Sequence, residues 1–127
     1  MSAGGQEPLW RQLGGRTYAR VLSALILDEL AQLTPLTTAE QLRRLRRNLG
    51  RTLSRQTLAA WKRGDQAVPA EVLVIMAAIA RVTLTDVSNA VAMRVVTDPE
   101  ADQGFAAALR RYYTGTHGEF PAEERPD

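Results

Sequence analysis

The chain has 127 residues, no cysteine, a single histidine and a formal net charge of +2. One ordinary core fits that length, while the missing thiols exclude a disulfide framework and a thiolate metal site, and His117 by itself cannot make a zinc centre of the usual kind. The longest apolar run, Val72 to Ala80, falls far short of the roughly 20 residues a membrane-spanning helix needs, and no basic-then-apolar leader opens the chain, so a soluble, cytoplasmic protein with no membrane partner is expected.

Residues 1 to 15 hold four glycines and a proline without an apolar period and read as a loose arm with a local anchor at Leu9 and Trp10. Order is expected to begin near Thr17. From Tyr18 to Leu33 the positions Val21, Leu22, Leu25, Ile26, Leu30 and Leu33 recur at three and four, one broad stripe of an amphipathic helix that Pro35 stops. Thr38-Ala39-Glu40-Gln41 has the spacing of a capping box, in which a threonine oxygen accepts from the third amide and Gln41 returns to the cap amide. The second helix that follows turns Leu42, Leu45 and Leu49 to one side and Arg43, Arg44, Arg46 and Arg47 to the others, and Gly50 supplies a left-handed stop. Ser54 is an N-cap for a third helix, Arg55 to Arg63, with Leu58 and Trp61 inward and Gly64 at its end.

Pro69 suits the first turn of a fourth helix that is apolar on most faces, through Val72, Leu73, Val74, Ile75, Met76 and Ile79, and belongs at the centre of the core. Thr85 is placed to cap a fifth helix running to about Val96, and Asp98-Pro99-Glu100 to start a sixth that Gly115 would end. Phe105, Leu109, Tyr112 and Tyr113 form a stripe on that sixth helix, and the residues beyond it have the composition of a disordered tail. No stretch alternates with period two, so the fold class is all-α. The expected organisation is an arm over 1–15, a helix-turn-helix unit over 16–96, an interaction helix over 97–115 that pairs two chains through residues 99–113, and a tail over 116–127.

Charge is polarised along the chain. Between Leu42 and Gly64 lie eight of the sixteen basic residues and no acid, the electrostatic footprint of a polyanion partner. After Val96 seven acids face three arginines. Two short helices about a tight turn, the first capped and basic, match the helix-turn-helix plan. The run Ser54-Arg55-Gln56-Thr57-Leu58-Ala59-Ala60-Trp61-Lys62-Arg63-Gly64, then Pro69, then Val82-Thr83-Leu84-Thr85-Asp86-Val87, resembles the Cro/CI-like (XRE) repressor family over about residues 17 to 88. Two features depart from that pattern: Gly50 and Gly64 stand further apart than is usual, and Lys62 occupies the place of an acid. The longer turn is similar to that of the EspR-type actinobacterial regulators.

The resemblance implies a five-helix lambda-repressor-like domain with an appended C-terminal helix. It also implies Ser54 as the recognition-helix N-cap, Arg55 and Gln56 as base readers, Ala60 at a further groove-facing position and Arg63 near phosphate. The chemistry agrees, because an arginine can give two hydrogen bonds to guanine and a glutamine two to adenine when the first turn of a helix enters the major groove. The full set expected on double-stranded DNA is Arg43, Arg46, Arg47, Arg51, Ser54, Arg55, Gln56, Thr57, Ala60, Lys62 and Arg63. A sequence-specific transcription regulator, a repressor, is the leading expectation; an architectural nucleoid protein and a protein-binding module such as an antitoxin are the alternatives. No Gly-rich phosphate loop, cysteine nucleophile or acid–base pair is present, so neither enzymatic activity nor a cofactor or metal is expected.

Overall fold

A computed structural model of the chain describes residues 7–11, 13–50 and 52–116, with the side chains of 112–116 outside that description. The expectations for the first six residues, for Arg51, for Tyr112 and Tyr113 as stripe residues, for His117 and for the tail therefore lie outside the described residues. A short 3-10 turn, Leu9–Arg11, precedes six helices: α1 (Tyr18–Leu33), α2 (Thr38–Leu49), α3 (Arg55–Lys62), α4 (Ala70–Ala80), α5 (Leu84–Thr97) and α6 (Gln103–Thr116). The fold is all-α, with no strand among the described residues. No helix among them is long and apolar enough to cross a membrane.

Side-chain caps start most of these helices. Thr17, Thr37, Ser54 and Thr83 each sit in extended backbone and accept a hydrogen bond from the amide three residues on, at Arg20, Glu40, Thr57 and Asp86. Two of these correct the sequence reading. The cap of α2 is Thr37 rather than Thr38, and Gln41 is no capping-box partner: it is buried, and its Nε2 donates to the carbonyls of Ala31 (3.3 Å) and Leu36 (2.9 Å), tying α2 to the end of α1. The cap of α5 is Thr83 rather than Thr85, because the chain leaves α4 through Arg81 in left-handed backbone and reaches helical conformation by Leu84.

The start of α6 also moves. Asp98 closes a turn on itself, its Oδ1 accepting from the Glu100 amide at 2.9 Å and its carbonyl from the Ala101 amide at 3.1 Å, so the helix begins only at Gln103. Asp102 then caps it, accepting from the Phe105 amide at 3.0 Å. Gly115 does not end α6, which continues to Thr116.

Packing centres on α1, which lies against α3, α4 and α5, with α2 on α4 and α6 on α5. One apolar cluster joins Leu27 and Leu30 of α1 to Leu45, Leu58, Trp61, Val72, Met76, Val87 and Val91. Within α4 only Val72, Met76 and Ala77 are buried, and Val74 faces outward, 55% exposed. A second cluster joins Val21, Ala92, Val95, Ala101, Phe105, Ala106 and Leu109, and Phe105 stacks on Tyr18 with ring centroids 5.3 Å apart. Two residues of the expected pairing stripe, Phe105 and Leu109, are buried inside their own chain, because the turn at Asp98–Ala101 folds the helix back onto α5 and the start of α1.

The arm is likewise not loose where it is described. The Trp10 indole donates to Asp98 Oδ2 at 2.6 Å, Arg11 Nε donates to the same oxygen at 2.8 Å, and the Asp102 amide donates to the Trp10 carbonyl at 2.9 Å. The anchor expected at Leu9 and Trp10 is present, and it fastens residues 8–11 to the α5–α6 turn.

Candidate nucleic-acid interface

The turn between α2 and α3 is built by three residues. Gly50, at φ 69° and ψ 26°, lets its amide bond back to the Arg46 carbonyl at 3.0 Å and turns the chain out of the helix. Leu53 then drops into the core at 4% exposure. Arg46 braces the same turn, its Nε donating to the Leu53 carbonyl at 2.7 Å. Ser54 Oγ accepts from the Thr57 amide at 3.0 Å and shares a hydrogen bond with Thr57 Oγ1 at 2.9 Å, which fixes the first turn of α3.

With Leu58 and Trp61 holding the inner face of α3 in the core, Ser54, Arg55 and Gln56 are exposed and Thr57 is half-buried. Among the described residues the side chains of Arg55 and Gln56 have no hydrogen-bond or ion-pair partner. Such a turn can present paired donors to a base edge without first breaking an internal bond. Ala60 does not belong to this face. Five residues from Arg55 is about 140° around the helix, which turns Ala60 inward, 8% exposed beside Trp61. The expectation of a groove-facing Ala60 is therefore corrected.

The arginines of α2 are less free than the acid-free stretch suggested. Glu40 lies just before that stretch, and helical spacing brings it under two of them: it is ion-paired with Arg43 and lies 3.7 Å from Arg44 Nε. The Arg43 hydrogen bond, with the charges of Arg43 and Arg44, holds the Glu40 carboxyl below its ordinary value. Arg47 is exposed and has no side-chain partner among the described residues. At the far end of α3, Arg63 Nε donates to Asp65 Oδ2 at 2.8 Å, and Asp65 also receives Arg16 at 3.4 Å. Hydrogen bonding from Arg63 holds the Asp65 carboxyl low, and that carboxylate is shared between Arg63 and Arg16. Lys62 is half-buried and lines a hollow of about 260 Å³ with Leu9, Trp10, Leu25 and Asp28, away from the capped end.

The structure thus brings together Arg46, Arg47, Ser54, Arg55, Gln56 and Thr57 around the α2–α3 turn, pairs Arg43 and Arg63 with acids, and buries Ala60. Two basic residues outside the expected set flank this region, Arg44 on α2 and Arg81 at the end of α4, and both line the groove between those helices. Only the lone arginine after the apolar run of α4 hinted at the second. Compared with family models, with curated proteins and with solved structures, the chain matches none, and its functional reading rests on these residues alone.

Proposed function

We propose that the chain is a sequence-specific DNA-binding transcription regulator, a repressor, with α2 and α3 as the two helices of a lambda-repressor-like helix-turn-helix. The observation that carries this reading is the capped, exposed first turn of α3, where Arg55 and Gln56 stand unengaged beside a helix that displays Arg43, Arg44, Arg46 and Arg47. In this reading Arg55 and Gln56 read base edges in the major groove, and Arg47 and Arg46 hold the flanking phosphates. Pairing through residues 99–113 has no part in it, since Phe105 and Leu109 serve the core.

Selection of bound sites from random duplexes by the full chain tests the proposal. A short motif is expected, with Arg55→Ala relaxing preference at one position by about 1–3 kcal/mol. Arg47→Ala is expected to weaken every sequence alike and to lower the log–log salt slope by about 0.9. No duplex binding at low salt would sink the reading, and long, sequence-blind protection would replace it with an architectural role.

A further inference from the structure

A surface groove runs between α2 and α4. Two adjoining hollows of about 340 and 330 Å³ share Arg44, Ile79 and Arg81; the floor is apolar, from Ile75, Ala78 and Ile79, and the rim carries Arg44, Arg47 and Arg81. Neither Arg47 nor Arg81 has a side-chain partner among the described residues. Arg81 is also the one described residue other than glycine with positive φ, at 62°. Glycine would take that conformation without a Cβ clash, and what the arginine adds is a guanidinium over the groove.

An apolar floor beneath three guanidinium groups fits an apolar side chain flanked by carboxylates, since arginine pairs carboxylate in a two-pronged fork. A duplex backbone would satisfy the rim and leave the floor unused. The chain itself carries such a segment: within residues 118–127, Phe120 stands between Glu119 and Glu123-Glu124, and Arg125 is the only base against four acids. Extended, those residues reach up to about 36 Å from the end of α6, against a radius of gyration of about 14 Å for a domain of this length.

We propose that the α2–α4 groove seats the acidic segment Glu119–Glu124 of the same chain, with Phe120 over Ile75, Ala78 and Ile79 and the carboxylates on Arg44, Arg47 and Arg81. Seating does not depend on the DNA reading. If that reading also holds, a seated segment cancels part of the positive face of α2 and competes with phosphate.

The absence of native cysteine allows a clean test in the full chain. Ala78→Cys is combined with Ala122→Cys, and the exposed Ala90→Cys with Ala122→Cys serves as the reference pair. Under mild oxidation of dilute protein, the groove pair is expected to close an intramolecular disulfide roughly tenfold faster than the reference, as a seated segment raises the local concentration. That advantage should disappear at about 1 M salt, where the Debye length is about 3 Å. Adding Arg81→Gly should also remove it while leaving the melting temperature no lower, because glycine suits the backbone there. Equal rates for the two pairs, or a groove rate indifferent to both salt and Arg81→Gly, would overturn the proposal. Disulfide-linked dimers whose yield rises with concentration would also overturn it, giving the groove to a second copy.

Discussion

At Gly64 the backbone takes φ +77°, and a Cβ added there would stand 3.1 Å from Arg16 Cδ and 3.7 Å from the Arg20 carbonyl oxygen; at Gly50, φ +69°, it would meet open space. The two glycines should therefore respond differently to the same change. Gly50→Ala carries only the conformational penalty, about 1–2 kcal/mol, and Gly64→Ala adds a tight contact with the Arg16 side chain, which must shift to make room. Urea midpoints of the two variants measure this, and equal losses would show that Arg16 moves aside freely. Asp98 offers a test in pH. Arg11, the Glu100 amide and the Trp10 indole hold its carboxyl down to about 2 from the usual 3.8. The folded form binds this proton more weakly than the unfolded form, so the contribution is complete above 3.8 and is lost as pH falls towards about 2. Asp98→Asn is expected to melt lower at neutral pH and to lose less on acidification through that window. An acid limb parallel to that of the parent chain would show that this carboxylate does not titrate there.

Helix α3 is only eight residues long, too short to persist by propensity, and it stands because Leu58 and Trp61 are 3% and 4% exposed against α1 and its neighbours. Trp61→Ala should cost about 3–5 kcal/mol. Chemical denaturation gives the figure, and a loss below about 1 kcal/mol would place the indole outside the core. The elements with a strong apolar period, α1 to α4, were legible in the sequence, as were Ser54, Gly50 and the inward Trp61, because each of these signals is local. What was misplaced depended on distant partners. Thr37 and Thr38 both offer a hydroxyl at the head of α2, and the choice is settled by Gln41, whose amide is claimed by Ala31 and Leu36 of the preceding helix and turn. Asp98 looked like a helix start until Trp10 and Arg11, far away in sequence, took its carboxylate. At the candidate site the cap of α3 was readable from Ser54, whereas the absence of partners at Arg55 and Gln56 is visible only in the fold, the burial of Ala60 follows from helical phase and the pairing of Arg43 from an acid just outside the basic stretch.

On the scale of the whole molecule, two apolar clusters share α1: the larger supports α2 and α3, and the smaller fastens α6. Phe105, 1% exposed and stacked on Tyr18, is the largest side chain of the smaller one. Phe105→Ala should lower stability by about 3–5 kcal/mol without changing the sedimentation coefficient of the folded chain. A dimer that falls apart in this variant would return α6 to the role of a pairing surface. The hydrogen bond from Trp10 to Asp98 spans 88 positions of sequence, and closing so wide a loop carries an entropic cost that is recovered only when everything between is already ordered. The segment before α1 and the helix after α5 are therefore one unit of opening rather than two frayed ends. Their amides should exchange with solvent hydrogen in step, later than an isolated terminus would and earlier than α1. A perturbation placed at Trp10 or Arg11 then registers in α6, on the far side of the sequence.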